Sequence, residues 1–294
     1  MKRFDSKKAT LLFLSLLLTS MHFLHAQQIS IYADTQFLSI FGQRIDSYNV
    51  LDTAKIVVTY RVIIVNDVGN RGDKVEDIQI LEIGDRFSKT YSKLRFEADS
   101  IYTSLRSRGA HATPSFRKNI SSFVVYNHLP SQHLTVLHRL FGSPGVYYYI
   151  EPIPAINWQI TNERKRILSY NSQKAVGTFR GRTYEAWFTP DIPIQIGPYK
   201  FGGLPGLILA IRDTQNHYVF TAISVERPTN VVPITFWRWR GRRVPREEFL
   251  EIVRQAHSNP FQHLKERGWA LRYIEGEEGD PRNHSFPFNP IELE

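Results

Sequence analysis

The stretch TYEAWFT, residues 183–189, alternates in side-chain character in the way that is typical of a β-strand. Successive side chains of a strand point to opposite faces, so Tyr184, Ala186 and Phe188 are expected together on one face. Trp187 is expected on the other face and substantially buried. Burial of both sets would mean that this strand is covered on both of its faces.

Further strands are predicted on either side of this stretch, within the densest β signal at 174–227 and in the first part of the chain. The segments 207–212 and 217–225 predict a hairpin, because a turn-forming Asp-Thr-Gln-Asn sequence lies between them. Two more strands are predicted at residues 56–65, the β-branched run IVVTYRVIIV, and at residues 76–83. The segment between them is rich in Asn, Asp and Gly, which predicts a chain reversal.

Helices are predicted in two places. Residues 96–105 carry apolar side chains at the spacing of one helical face. A second helix is predicted to begin at Pro245, with acidic residues in its first turn, and to end before Pro260. Together these patterns predict the α+β class, dominated by antiparallel sheet with a few helices.

The amino-terminal residues have the pattern of a cleavable signal peptide. Four basic residues precede the apolar run Ala9–Leu24, which is too short for a membrane span of about 20 residues, and Ala26 suits a signal-peptidase site. We therefore predict a signal peptide over residues 1–26 and a single β-rich domain over 27–294, with no transmembrane segment after cleavage. The expected location is the periplasm, the periplasmic face of the outer membrane, or the outside of the cell.

Net charge and cysteine content exclude several classes of protein. The chain has a formal net charge of +9, part of which belongs to the predicted signal peptide. The remaining charge is too small for a dedicated nucleic-acid binder, so we expect no nucleic-acid partner. The chain contains no cysteine, which excludes a disulfide framework, a lipoprotein anchor and a thiolate metal site.

The segment GPYKFGGLPGLIL, residues 197–209, predicts a tight apolar corner that leads into a strand. Residues 204–207 fit a type II turn, because Pro205 pre-sets the second position and Gly206 accepts a positive φ at the third. The bulky apolar side chains of the corner are expected to be buried. On the residues alone, a purely structural role accounts for this corner.

The same corner resembles the namesake motif of the GLPGLI family of Bacteroidota, also called the Porphyromonas-type family of unknown function. Further matching blocks lie upstream, at residues 173–175, 179–182 and 186–193. Many members carry a cysteine before the first of these blocks, where this chain has Ser172, so a thiol-dependent role is excluded. The motif stands here as Gly203, Leu204, Pro205, Gly206, Leu207 and Ile208.

This resemblance implies an exported protein of the Gram-negative envelope and supplies no activity. The order of strands and loops around the motif is also similar to the half-barrel of periplasmic lipoprotein carriers, which implies a curved sheet. That second likeness concerns the fold and says little about function.

Arg180 and Arg182 are candidate ligand-binding residues, together with Trp187 and Tyr199. Two guanidinium groups near an aromatic side chain suit a carboxylate or a phosphate. The alternative interpretation is a solvated turn with structural ion pairs.

A hydrolase is the competing class of protein. Glu185, Asp191 and Asp213 are its candidate carboxylates, although turn or edge positions explain Asp191 and Asp213 equally well. The chain contains none of the motifs of zinc proteases, serine hydrolases or phosphate-binding loops. We therefore predict no catalytic residue, no metal ligand and no cofactor.

The segment TFWRWRGRR, residues 235–243, alternates aromatic and basic side chains. On a strand, its two tryptophans share one face and two of its arginines the other. One interpretation is a seat for anionic lipid head groups, with the tryptophans at the membrane interface. The other is an edge strand whose tryptophans pack inward while its arginines stay in water and discourage edge pairing.

These observations favour a non-enzymatic envelope protein that binds a lipid-like ligand or an outer-membrane partner. For a lipid-like ligand we expect a groove walled by apolar and aromatic side chains, with Arg180 and Arg182 at its rim. A hydrolase with a carboxylate-based site would instead have a deep pocket with convergent polar side chains. A structural component of an outer-membrane complex would have a large exposed apolar patch and no pocket.

Overall fold

Antiparallel strands dominate the computed structural model, which describes residues 42–70, 72, 74–110, 120–141, 145–266 and 285–294. The strands are β1 (Tyr48–Thr53), β2 (Ile56–Val65), β3 (Lys74–Ile83), β4 (Phe87–Ser92), β5 (Phe123–His128), β6 (His133–Arg139), β7 (Val146–Pro152), β8 (Gln159–Ile167), β9 (Tyr170–Phe179), β10 (Arg182–Thr189), β11 (Leu207–Asp213), β12 (Tyr218–Glu226), β13 (Pro233–Trp237) and β14 (Gly241–Arg243). The helices are α1 (Lys93–Ser107), α2 (Arg246–Ser258) and α3 (Pro260–Glu266).

The predicted α+β class with mainly antiparallel sheet is confirmed. The strands predicted from the alternating and β-branched segments are present, and α1 and α2 lie where the two helices are predicted. The predicted signal peptide lies outside the described residues. Within the described part of the chain, no helix has both the length and the hydropathy that crossing a membrane requires.

Twelve strands of the described part form one sheet, in the order β14-β7-β6-β5-β4-β3-β2-β12-β11-β10-β9-β8. Two antiparallel meanders, β2 to β7 and β8 to β12, meet where β12 pairs with β2. Strand β14 pairs with β7 in parallel and lies at one edge, and β8 lies at the other edge. The sheet is therefore open, and β1 pairs with β13 in a separate two-stranded ribbon.

The large sheet bends back on itself around its inner face. Alternation along β2 places Val58, Tyr60 and Val62 on this face, where none of them has exposed surface. They belong to the same apolar core as Tyr149 of β7 and Phe179 of β9, two strands next to opposite edges of the sheet. Strands near the two edges therefore face one another across the interior.

Three segments of the chain fill much of the space inside the bent sheet. The loop 190–206 contributes Ile192 and Phe201 to the core, and α2 contributes Phe249. The segment 285–294 lies against β10, since the Tyr184 hydroxyl donates a hydrogen bond of 3.1 Å to a carbonyl of that segment. The interior is thus largely occupied by the protein's own side chains.

The outer face of the sheet is covered unevenly. Trp237 of β13 stacks on Phe96 of α1 with ring centroids 5.9 Å apart, and both pack over the β4–β7 half of the sheet. Trp187 of β10 is only half-buried beneath Lys165, whose Nζ lies 4.0 Å from the ring centroid. The three side chains predicted for the inner face of β10 are buried, whereas its outer face is only partly covered.

The bulky apolar side chains of the GLPGLI corner, residues 203–208, are buried as predicted, but the turn of the corner is different from the predicted one. The N–H of Gly206 donates to the carbonyl of Leu204 at 2.7 Å, which closes a γ-turn around Pro205. Gly206 has a φ of +159°, at the border of extended backbone, and a left-handed φ of +82° belongs to Gly203 instead. The positive φ of Gly206 is confirmed in sign, whereas the type II turn from which it was predicted is wrong.

Candidate functional site

A cleft of about 180 Å³ opens between β5–β7, helix α2 and the segment 285–294. Its walls are mainly apolar and aromatic. Phe123, Val136 and Tyr149 line it from the sheet, and Phe249 and Val253 line it from the helix. Small-molecule sites are usually concave and mostly apolar with a few polar groups, and they measure about 300–1,000 Å³, so this cleft suits a small or narrow occupant.

Two histidines in the wall of the cleft are neutral at physiological pH. Burial, reinforced by neighbouring cations, lowers the pKa of His138 to about 3. Burial also lowers the pKa of His257. His138 packs against Phe249 with ring centroids 5.0 Å apart, and its Nε2 lies 3.1 Å from the Ser122 hydroxyl. The histidines therefore add polar atoms to the wall without adding charge.

Five charged side chains meet at one end of the cleft, and we call them the interior charge cluster: Glu151, Arg180, Lys200, Arg246 and Glu292. The Lys200 side chain has no exposed surface, and its Nζ lies 2.5 Å from an oxygen of each glutamate. Arg246 approaches the second oxygen of Glu292 to 2.5 Å. Arg180 approaches the second oxygen of Glu151 to 3.1 Å. Three cations therefore surround two buried carboxylates.

Local structure directs these side chains inward. Tyr149 and Glu151 are two residues apart on β7, so both point to the inner face of the sheet. Lys200 follows Tyr199, which has a left-handed φ of +55°, and both residues are buried. Lys200 donates to the Tyr149 oxygen at 2.8 Å, and the Tyr199 hydroxyl donates to Glu292 at 2.5 Å.

Lys200 and Glu292 hold each other in their ionised forms. Burial alone would raise the pKa of Glu292, but Lys200 and the hydrogen-bond donors around the carboxylate hold it below its ordinary value. Burial alone would lower the pKa of Lys200, but Tyr149 and the two glutamates hold it above its ordinary value. A carboxylate kept ionised in this way is a poor proton donor, so Glu292 is unsuited to the role of a general acid.

The predicted ligand-binding residues do not form a common rim. Arg180 and Gly181 have left-handed φ values of +46° and +77° and form the two-residue turn between β9 and β10. Arg180 is half-buried and belongs to the interior charge cluster. Tyr199 lines the cleft, whereas Trp187 lies on the outer face of the sheet, where its neighbour is Lys165.

Arg182 requires the clearest correction, because it is buried instead of lying at a solvated rim. Its exposed fraction is 5%, and its guanidinium donates to Asp213 at 3.1 Å, to the Asn289 side chain at 2.5 Å and to the Pro290 carbonyl at 2.6 Å. It therefore fastens the segment 285–294 to the sheet. Strand alternation was the available signal, since it places Arg182 on the same face as Tyr184.

Arg182→Lys is expected to lose about 1–3 kcal/mol of unfolding free energy, because an ammonium cannot keep the forked hydrogen bonds of the guanidinium. Urea unfolding measures the loss. Arg180→Lys is the matched control, and its loss should be smaller because Arg180 is partly in water. Equal losses in the two proteins would contradict a special anchoring role for Arg182.

The carboxylates predicted for a hydrolase do not converge. Glu185 lies on the outer face and pairs with Arg212 at 2.8 Å. Asp191 accepts a backbone hydrogen bond in a turn, and Asp213 is buried against Arg182. The carboxylates that do converge, Glu151 and Glu292, escaped prediction because they are far apart in sequence and have no motif around them.

The arginine-rich segment 235–243 agrees with the interpretation in which its tryptophans pack inward and its arginines stay in water. Trp237 is buried, and Trp239 stacks on it with ring centroids 4.8 Å apart. Arg238 and Arg240 are exposed, and the segment continues into β14 at the edge of the sheet. The two tryptophans therefore pack against the protein itself.

Within the described residues, no group of three or more His, Asp and Glu side chains is placed to hold a metal ion. The interior charge cluster contains two carboxylates, and both are already paired with cations.

Comparison with known proteins gives one family and a set of solved structures. A family model described as the N-terminal domain of the N-glycanase peptide matches residues 151–237, which run from the end of β7 to β13. Structures of PNGF-II in the C2 and P21 space groups are each 15% identical to this chain over 70% of its length, with a TM-score of 0.47. This chain spans 34% of the length of those proteins. Among curated proteins, none matches it.

Proposed function

We propose that this chain is a non-enzymatic binding domain of an exported envelope protein, and that its ligand is a lipid-like molecule held in the cleft beside α2. The observation that carries the proposal is the cleft itself, about 180 Å³ in volume, with mainly apolar and aromatic walls. Neutral histidines in its wall favour an apolar occupant, because they impose no charge on it.

Export and envelope location rest on the sequence. The signal peptide predicted over residues 1–26 and the resemblance to the GLPGLI family both support them. The bent, open sheet with an interior cleft supports the likeness to the half-barrel of periplasmic lipoprotein carriers.

A second candidate function is that of an accessory or catalytic domain in an N-glycanase type of hydrolase. The family-model match over residues 151–237 favours it. Both carboxylates of the interior charge cluster are already paired with cations, which counts against their acting on a substrate at that place. Release of a glycan from an N-glycosylated peptide by the purified chain, and its loss in Glu151→Gln, would favour this second candidate over the first.

Blocking the cleft tests the first candidate. Leu250 lines the cleft from α2, so Leu250→Trp is expected to weaken binding of the neutral apolar fluorophore N-phenylnaphthylamine about tenfold or more. The physical reason is steric, since the larger ring occupies the space of the ligand. Fluorescence titration measures the affinity.

Glu251→Trp is the matched control, because Glu251 is exposed on the same helix. It should bind the fluorophore as the unaltered protein does. Equal binding by Leu250→Trp and Glu251→Trp, or no saturable binding by the unaltered protein, would contradict a ligand site in the cleft.

A further inference from the structure

The carboxylate of Glu292 is held like the head group of a bound ligand. Lys200 Nζ lies 2.5 Å from one of its oxygens, and the Tyr199 hydroxyl donates to the same oxygen at 2.5 Å. Arg246 donates to the other oxygen through Nε at 3.1 Å and through Nη2 at 2.5 Å. Both Arg246 donors converge on one oxygen while Lys200 and Tyr199 hold the other, so charge-assisted hydrogen bonds reach both oxygens of the carboxylate.

Glu292 and Glu151, the two carboxylates of the interior charge cluster, come from different parts of the fold. Glu151 belongs to β7 of the sheet, whereas Glu292 comes from the segment 285–294, which lies inside the bent sheet. Without Glu292, Glu151 would be the remaining carboxylate side chain beside Lys200, Arg180 and Arg246, and Arg246 would keep its hydrogen bond to the Glu294 carbonyl. Buried cations without partners are costly, so the vacated position would favour another carboxylate strongly.

The position of this carboxylate is continuous with the apolar cleft. Tyr149, Tyr199 and Glu292 belong both to the surroundings of Lys200 and to the wall of the cleft. A carboxylate in the place of Glu292 therefore has apolar space next to it, lined by Phe249 and Val253 of α2.

We propose that the cleft and the interior charge cluster form one site for an amphiphilic carboxylate, of the fatty-acid class, whose head group takes the place of the Glu292 carboxylate. This inference rests on the proposed function and names the class of ligand. Displacement requires only the Glu292 side chain to leave, because separate hydrogen bonds from Arg182 hold Asn289 and Pro290. Glu292 thus acts as an internal competitor of the ligand.

Titration of the full-length protein with octanoate, n-octanol and acetate tests the proposal. Glu292→Ala is expected to bind octanoate about tenfold or more tightly than the unaltered protein, the factor that one charge-assisted hydrogen bond contributes. The two proteins should bind n-octanol equally, because it has the tail without the charge. Acetate should bind Glu292→Ala more weakly than octanoate does, since it has the head group without the tail.

Equal octanoate affinity in Glu292→Ala and the unaltered protein would overturn the proposal, as would equal gains for octanoate and n-octanol. If Glu292→Ala does not fold, Glu292→Gln gives the same comparison, because it keeps the side-chain shape and removes the charge. Octanoate should then bind Glu292→Gln more tightly than the unaltered protein, and equal affinity would again overturn the proposal.

The n-octanol titration separates this proposal from the proposed function on which it rests. If n-octanol binds the unaltered protein and Leu250→Trp prevents this, the cleft binds apolar ligands whatever octanoate does. Another outcome is that n-octanol fails to bind while octanoate binds Glu292→Ala. The protein would then have a carboxylate site without an apolar site beside it, and the fatty-acid class would be wrong.

Discussion

Gly206→Val is expected to lose about 4 kcal/mol or more of unfolding free energy, or to prevent folding, a loss that only a few mechanisms produce. A Cβ atom at Gly206 would lie 2.1 Å from the carbonyl oxygen of Thr189 and 2.6 Å from its carbon. These are backbone atoms of the last residue of β10, so no side-chain rotation can relieve the contact. Urea unfolding, or the soluble yield if the protein does not fold, measures the effect.

Gly203→Ala is the matched control within the same motif. Gly203 has a left-handed φ of +82°, but a Cβ there would meet only the Trp158 Nε1 at 3.9 Å. We expect a loss of about 1–2 kcal/mol, which is the cost of a left-handed backbone for a residue with a side chain. A loss in Gly206→Val no larger than that in Gly203→Ala would contradict the close-approach explanation.

Lys200→Met is expected to lose about 3–5 kcal/mol at neutral pH, because removing one partner leaves buried carboxylates without their central cation. Lys200 has no exposed side-chain surface and contacts both Glu151 and Glu292. Lys55→Met is the matched control, since Lys55 pairs with Asp85 where both side chains are 65% exposed. Its unfolding free energy should hardly change.

The loss of unfolding free energy in Lys200→Met is expected to depend on pH. The pKa of Glu292 is held below its ordinary value in the folded protein, so its stabilising contribution is present above the unfolded pKa of about 4.3 and is lost as the pH falls toward the folded pKa. Protonation of Glu292 also removes the buried negative charge that has lost its Lys200 partner in Lys200→Met. The difference between the unaltered protein and Lys200→Met should therefore shrink below about pH 4. A constant difference from pH 7 to pH 3 would contradict an electrostatic origin.

Much of the fold can be predicted from local patterns because strands and turns depend on near neighbours. The alternation around Tyr184, Ala186 and Phe188 is sufficient to predict β10 and the face that it buries. The β-branched run of β2 and the proline before α2 predict those elements in the same way. Even the burial of Arg182 follows from this alternation, although we expected that arginine at a solvated rim.

The GLPGLI corner marks the limit of local prediction. Its composition predicts a buried turn with a glycine requirement, and both are present. The reason for the requirement lies elsewhere in the chain, since the contact that excludes a side chain at Gly206 comes from Thr189. A turn type inferred from four residues cannot take account of a backbone that approaches from outside them.

The sequence by itself determined β2, the strands of the segment 174–227, helices α1 and α2, and the apolar corner, because each depends on residues a few positions apart. Only the tertiary structure decided which charges meet. Glu151, Lys200, Arg246 and Glu292 come from a strand, a loop, a helix and the segment inside the sheet, and no local pattern relates them. These four side chains come together because the twelve-stranded sheet of the described part bends. The degree of bending depends on how the side chains of the whole core pack together.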